Sequence, residues 1–283
     1  MLQSSVDYGR RNPQLVIGLA MLLMLGLFWL VGPIFIDLDK ARPLSAIPDM
    51  VPSAEFPLGT DTVGRELLPV LLLGTLYTFE IGLIAGILGL LVGMLLGFTA
   101  GYFGGPTDTI IRGAADVGLA IPALAVLVVI ASVIKEVLSP EIMALIVASL
   151  AWMFPTRTIR SQVLTMRERP YVEIARLSGL NDRQIIFKEL MPNLLPYLAA
   201  SFVGAVAAAI LAAIGLEALG LGPQNAPTLG MTIFWGTYYG ALLRGMWWWW
   251  GPPIVAIVWV FVSLFMISSG LDEIANPRLR REA

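Results

Sequence analysis

The chain has 283 residues, of which 57% are hydrophobic and 13% are charged, and its net charge is -2. A soluble domain would carry about 25% charged residues, so this composition indicates a protein that crosses a membrane several times. The small net charge argues against a nucleic-acid partner. The sequence contains neither histidine nor cysteine, which excludes the usual zinc sites, catalytic triads and disulfides. We therefore predict no catalytic residue, no metal site and no cofactor in this chain.

Six apolar runs are each long enough, at roughly 20 residues, to cross a bilayer as a helix. The first run follows Arg10 and Arg11, and it has no small-residue cleavage site before Asp37, so we interpret it as a retained span rather than a signal peptide. The sequence thus predicts an all-α polytopic membrane protein. The predicted spans are residues 14–36, 72–101, 116–135, 141–162, 195–216 and 253–271.

Lysine and arginine in the connections predict the orientation, because these residues are retained on the cytoplasmic side. With the N-terminus inside, the cytoplasmic connections hold 13 of the 18 basic residues. Both termini are therefore predicted to be cytoplasmic. The chain divides into residues 1–70, with a cytoplasmic tail, the first span and an extracytoplasmic loop, and residues 71–283, a five-helix core with a cytoplasmic loop at 164–193.

Two patterns predict packing and membrane contacts. Glycines four residues apart in the second span, such as Gly82 and Gly86 or Gly89 and Gly93, allow close helix approach and predict a tight bundle that includes a partner subunit. Four consecutive tryptophans at 247–250 precede the last span and suit an anchor at the membrane–water interface. A stacking platform for carbohydrate or aromatic groups is the alternative for these tryptophans.

The longest polar segment between two spans reads YVEIARLSGLNDRQIIFKELMPNLLPYL. Pro170 suits the first turn of a helix and Gly179 suits the position just after its end. Asn181 with Gln184 three residues later is a capping-box pattern, and Pro192 discourages continuation of the second helix. We predict two short capped helices joined by a tight turn. Such a segment could lie on lipid headgroups, or it could be a rigid projection shaped for a groove in another protein.

The same segment carries a resemblance to a known family. Glu173-Ile174-Ala175 is followed four residues later by Gly179 and, thirteen residues after that glycine, by Pro192. This spacing resembles the EAA motif of ABC-importer permeases. The wider sequence is similar to the C-type subunit of dipeptide/oligopeptide permeases. Stretches that carry this similarity lie, in order, at residues 56–67, 97–122, 216–224, 243–250 and 270–280.

The resemblance implies a type I ABC-importer permease in a prokaryotic inner membrane, forming half of a translocation pathway. It implies a second homologous permease subunit, two cytoplasmic ATPase subunits that bind ATP and Mg, and an extracytoplasmic substrate-binding protein. The implied substrate is a peptide, with an oligosaccharide, a nickel chelate or another small solute as alternatives. The residues that the resemblance assigns to ATPase coupling are Glu173, Ala175, Arg176, Gly179, Asp182 and Arg183.

The residues themselves agree with ATP binding by another chain, because no G-x-x-x-x-G-K-[ST] motif is present. Glu80 is the clear charge within a predicted span, and Tyr77 shares its helix face. If the helix starts near Gly74, Glu80 lies about 9 Å along it, in the outer half of the bilayer. Either Glu80 lines the substrate pathway or it bonds to a neighbouring helix. A secondary transporter or channel would need internal repeats or paired charges, and a membrane enzyme is disfavoured by the missing histidine and cysteine.

Overall fold

The computed structural model describes residues 12–134 and 137–275. Over these residues the chain is predominantly helical, and short irregular segments connect the helices. The helices are α1 (Pro13–Phe35), α2 (Leu67–Phe103), α3 (Gly105–Ala120), α4 (Ala123–Val133), α5 (Pro140–Ala151), α6 (Met153–Arg167), α7 (Pro170–Leu177), α8 (Asp182–Ala218), α9 (Leu229–Tyr238) and α10 (Trp247–Ala275).

Four of these helices, α1, α2, α8 and α10, are long and apolar enough to cross a membrane. Two further spans arise if each bent pair counts as one, with a bend of 86° between α3 and α4 and of 41° between α5 and α6. The predicted all-α polytopic fold is confirmed. The prediction of a third span at 116–135 as one helix is wrong, because Pro122 holds Ile121 in an extended conformation and ends α3 there.

Helix α2 is the centre of the bundle and packs against α5, α6 and α8. Its glycines lie where neighbouring backbones come closest. A Cβ atom at Gly86 would lie 2.9 Å from the backbone of Val206 in α8, and one at Gly89 would lie 2.9 Å from the backbone of Ala151 in α5. The predicted close packing is thus found within one chain. A partner subunit is not needed to explain these glycines.

The sequence predicted a separate short helix that ends before Pro192, and the structure of α8 shows that this prediction is wrong. The helix begins at Asp182 and continues to Ala218 through a π-helical turn at Ile185–Leu190. In this turn the Met191 N–H bonds to the Ile186 carbonyl, five residues back. The wider turn makes room for the ring of Pro192, which would clash with a carbonyl in a regular α-helix. The loop and the fifth span are therefore one continuous element.

Residues 37–66 and 239–250 pack together as a cap on one end of the bundle, which we call the loop cap. The Trp248 Nε1 donates to the Thr60 carbonyl at 3.3 Å, and Trp249, with no exposed surface, stacks on Tyr239. The central tryptophans are therefore the core of the loop cap. Neither a membrane anchor nor a stacking platform fits the buried rings of Trp248 and Trp249, whereas Trp247 is 56% exposed and the interfacial anchor stays a prediction for that residue.

Ion pairs also stabilise the loop cap. Arg244 donates to Asp49 at 2.7 Å and to Thr62 at 2.9 Å, so two segments about 200 residues apart are joined. The hydrogen bond from Arg244 is the main cause that lowers the pKa of Asp49 below its usual value. Lys40 pairs with Glu66 at 2.6 Å, and this contact raises the pKa of Lys40. The cap is thereby fixed to the start of α2.

Candidate functional site

The segment from the end of α6 through the π-helical turn, residues 168–190, forms a projection at one end of the bundle that we call the polar corner. Pro170 occupies the first turn of α7, as predicted. The helix ends at Leu177 and is followed by Ser178 and by Gly179, which has a φ of +85°. The N–H of Gly179 bonds to the Arg176 carbonyl, and that of Leu180 bonds to the Ala175 carbonyl. This is a helix end closed by a left-handed residue, a conformation that glycine adopts without strain.

The second half of the polar corner begins with the predicted capping box. The Asn181 side chain accepts a hydrogen bond from the Gln184 N–H at 2.9 Å, and the Gln184 side chain accepts one from the Asn181 N–H at 2.9 Å. Together with the glycine turn, this box fixes the angle between α7 and α8 by local hydrogen bonds. The polar corner is therefore a defined shape.

The outer face of the polar corner mixes charged and apolar side chains. Leu177 is 82% exposed, and Ile174 and Phe187 are more than half exposed. Apolar groups left open on a projection are typical of a contact surface for another protein. The predicted coupling residues that are exposed on the polar corner are Glu173, Arg176, Gly179, Asp182 and Arg183.

Ala175 is the exception among the predicted coupling residues. It is only 8% exposed and belongs to a buried cluster with Val172 and Ile185, which packs on Phe98 and Tyr102 of α2. The small side chain of Ala175 lets α7 lie close to the bundle. A direct contact of Ala175 with another protein does not fit this burial, and the residue instead packs the projection onto the core.

Two features of the inner face were not predicted from the sequence. The Tyr102 hydroxyl donates to Asp182 at 2.7 Å. Tyr171, at the start of α7, has a buried hydroxyl without a hydrogen-bond partner among the described residues, and burial with the nearby Glu189 raises its pKa. No local sequence signal marks either hydroxyl, because the surroundings of both come from distant segments.

Glu80 and Tyr77 lie far from the polar corner. Since α2 begins at Leu67, Glu80 lies thirteen residues into the helix, or about 20 Å along it. The predicted depth of about 9 Å is wrong, because the helix starts seven residues earlier than Gly74. Glu80 and Tyr77 are both half-buried and lie on the side of α2 where the Leu91 side chain is exposed. Glu80 makes no hydrogen bond or ion pair with the other described residues.

A cavity of about 350 Å³ lies between α4, α5, α6 and α8. Its wall is mostly apolar, and Thr158, Tyr197 and Ser201 contribute its polar groups. Glu80 and Tyr77 are not part of this wall. The sequence did not predict the cavity, because the alanines and the glycine of α8 that line it form no sequence motif and share only their small size.

Glu217, near the end of α8, is a second unpredicted feature. The residue is fully buried, and its carboxylate lies against Gly230 in the first turn of α9, where a Cβ atom would overlap it. The first turn of a helix carries unpaired N–H groups and positive potential. Neither carboxyl oxygen of Glu217 has a hydrogen-bond partner among the described residues, so the side chain joins the end of α8 to the start of α9 by close packing.

The comparisons with known proteins agree with this geometry. Residues 89–281 match the family described as "Binding-protein-dependent transport system inner membrane component". The chain belongs to this family. The permease is 31% identical over 222 residues to the oligopeptide transport system permease protein OppC of Lactococcus lactis subsp. cremoris, covering 78% of this chain and 75% of that protein. It is 29% identical over 272 residues to the dipeptide transport system permease protein DppC of Bacillus subtilis, covering 96% and 84%.

A solved structure shows the same fold. A chain from "Inward facing conformations of the MetNI methionine ABC transporter" superposes with a TM-score of 0.58 at 18% sequence identity, covering 75% of the permease and 97% of that chain. The predicted type I ABC-importer permease fold is confirmed by this match. The permease is a transport subunit with several membrane-spanning helices, as its family and its apolar helices indicate.

Proposed function

We propose that this permease forms half of the translocation pathway of an ATP-driven peptide importer and couples to a cytoplasmic ATPase through the polar corner. The second half of the pathway is a homologous permease subunit, and a substrate-binding protein delivers peptides from outside. ATP and Mg bind to two ATPase subunits. The observation that carries the proposal is the rigid, exposed shape of the polar corner, closed by Gly179 and Asn181.

The chemistry of the polar corner fits a protein groove better than a lipid surface. A helix that lies on headgroups buries one wide apolar face and keeps its charges on the other. Here the inner apolar face, with Val172 and Ala175, is already buried against the bundle. The outer face mixes Leu177 with Glu173 and Arg176, which suits a cleft lined by both apolar and charged groups.

The orientation follows from the position of the basic residues. Eight of the twelve basic residues in the described chain cluster at the end that carries the polar corner, so this end is cytoplasmic by the positive-inside rule. The other four, Lys40, Arg42, Arg65 and Arg244, lie in the loop cap. The cluster consists of Arg112, Arg157, Arg160, Arg167, Arg169, Arg176, Arg183 and Lys188. The remaining basic residues used for the orientation, Arg10, Arg11, Lys135, Arg278, Arg280 and Arg281, lie outside the described residues. We infer that both termini are then cytoplasmic; the predicted boundary between residues 70 and 71 falls inside α2, which begins at Leu67.

Peptides are the substrate class that the relatives favour. The relatives from Lactococcus lactis and Bacillus subtilis are named for oligopeptide and dipeptide transport, and each matches most of this chain. A cavity wall that is mostly apolar with a few hydroxyl groups, from Thr158, Tyr197 and Ser201, fits molecules with varied side chains. An oligosaccharide or nickel chelate remains the competing substrate class, to be decided by the ligand of the co-purifying binding protein.

The proposal is tested by replacing Leu177 with aspartate. A new charge on the outer face would have to be desolvated in an apolar part of the ATPase groove, so we expect the ATPase subunits to be lost when the permease is purified by affinity. The matched control is Leu243→Asp, a leucine in the loop cap at the opposite end that is 93% exposed. Retention of the ATPase subunits by Leu177→Asp, or their loss from Leu243→Asp, would contradict the assignment.

Glu80 offers a separate test of the pathway. Glu80→Gln keeps the size and hydrogen-bonding capacity of the side chain and removes its charge. If Glu80 faces the pathway, we expect uptake of peptides with a free N-terminal amino group to fall about tenfold, the effect of losing one charged hydrogen bond, while uptake of N-acetylated peptides is unchanged. If the variant takes up both peptide classes at the wild-type rate, Glu80 has only a packing role. Tyr77→Phe, on the same face, shows whether the neighbouring hydroxyl takes part.

A further inference from the structure

Tyr102 is the next-to-last residue of α2, and its side chain extends into the polar corner. The ring is 7% exposed, and the hydroxyl donates to Asp182 at 2.7 Å. The guanidinium of Arg176 lies beside the same hydroxyl. Arg176 comes before the turn at Gly179 and Asp182 comes after it, so the hydroxyl group is bonded to the residue after the turn and lies near the residue before it.

The end of α2 is also held from the other direction. Arg167, the last residue of α6, donates from Nη1 to the carbonyls of Gly101 at 2.9 Å and Tyr102 at 3.2 Å. Carbonyls in the last turn of a helix have no partner within it, and a cation there stabilises the helix end. The polar corner is therefore attached to α2 on both sides of α7. Arg167, which directly precedes the corner, makes one attachment, and Asp182, which follows α7, makes the other.

Helix α2 connects this attachment to the opposite end of the molecule. It is 37 residues long, or about 55 Å. At its start, the N–H of Glu66 bonds to the Lys40 carbonyl and the N–H of Leu67 bonds to the Gly59 carbonyl, both in the loop cap. Because a continuous α-helix changes length little along its axis, a displacement at Tyr102 is carried to the loop cap.

We propose that Tyr102 is a positioning residue for coupling: its hydroxyl, bonded to Asp182 beside Arg176, fixes the polar corner to α2 so that both move as one body when the ATPase moves the corner. This inference rests on the proposed function of the polar corner. The buried ring packs the corner onto the bundle, and the hydroxyl sets its position relative to the helix end. Loss of the hydroxyl alone would leave the packing and free the corner to shift.

The experiment measures a distance between the polar corner and α2 in the assembled complex with its ATPase subunits. The chain has no cysteine, so Arg169→Cys on the corner, outside the predicted coupling residues, and Leu95→Cys on α2, both exposed, provide two spin-label sites. We expect one narrow distance, with and without trapping by ATP and vanadate. In Tyr102→Phe we expect a second distance whose population relative to the first rises about fivefold, the effect of one lost hydrogen bond.

Matched variants separate this role from packing. Tyr171→Phe removes a buried hydroxyl of α7 that has no partner among the described residues, and it should leave the distance unchanged. Asp182→Ala should reproduce the effect of Tyr102→Phe, and the double variant should show no larger effect than either single variant, because the two groups act as one pair. A wild-type distance in Tyr102→Phe, or additive effects in the double variant, would overturn the inference.

The same samples distinguish failure of this inference from failure of the proposed function. If the wild-type permease does not retain an ATPase that hydrolyses ATP, the proposed function is wrong. If the wild-type complex hydrolyses ATP and Tyr102→Phe keeps the wild-type distance in both states, the polar corner couples by another route and only the role of Tyr102 is wrong.

Discussion

A permease with alanine in place of Gly86 is expected to lose about 1 to 3 kcal/mol in its free energy of unfolding, the usual cost of adding a methyl group to a packed core. The new Cβ would lie 2.9 Å from the backbone N and Cα atoms of Val206. A backbone cannot rotate away as a side chain can, so α2 and α8 would have to separate. Thermal unfolding of the purified permease in detergent, followed by loss of the monodisperse peak, measures the effect.

The matched control is Gly26→Ala in α1. A Cβ atom at Gly26 would meet nothing within 4 Å, and alanine favours a helix over glycine by about 1 kcal/mol. We therefore expect an unfolding temperature equal to or above that of the wild type. An equal loss in both variants would mean that glycine matters for helix flexibility and not for the contact of α2 with α8.

Gly179→Val is expected to abolish ATP-driven uptake while the permease still inserts in the membrane. The space around Gly179 is open, with no atom within 4 Å of a Cβ, so the effect comes from the backbone alone. A φ of +85° costs a residue with a side chain about 1 to 2 kcal/mol, and a β-branched residue is a rare outlier there. The end of α7 would then change its conformation and turn the polar corner away from its partner.

Uptake of a peptide mixture and ATP hydrolysis by reconstituted complexes measure this effect. Gly179→Asn is the matched control, because asparagine tolerates the left-handed conformation better than other residues with side chains, and it should keep most of the uptake. Normal peptide-stimulated ATP hydrolysis in Gly179→Val would show that the shape of this turn is not needed for coupling. A variant that is absent from the membrane would show instead that the turn is needed for folding.

The features of the polar corner that could be predicted from the sequence depend on neighbours within four residues. Asn181 and Gln184 cap one helix through groups three residues apart, and Gly179 closes another through its own φ. Apolar runs long enough to cross a membrane likewise need no knowledge of tertiary contacts. For these elements, the local chemistry already selects one conformation.

At two positions a rule based on local sequence predicts a structure that the protein does not adopt. Pro192 normally ends a helix, yet the π-helical turn before it absorbs the ring and α8 continues. A row of tryptophans normally marks the membrane interface, yet Trp249 is buried because the loop cap covers it. Distant segments of the loop cap pack around Trp249, whereas the turn before Pro192 is a local backbone arrangement that the usual preference of proline does not predict.

Sequence alone determined that this protein is a polytopic helical membrane protein with a capped polar segment between two spans, because composition, apolar runs and capping are properties of neighbouring residues. Only the tertiary structure decided which face of that projection is free. It turned Ala175 inward and brought Tyr102 to Asp182, 80 residues away. It also placed the carboxylate of Glu217 at the start of α9. Such contacts depend on how distant helices pack, and the energy of that packing is spread over many side chains, so no short stretch of sequence encodes it.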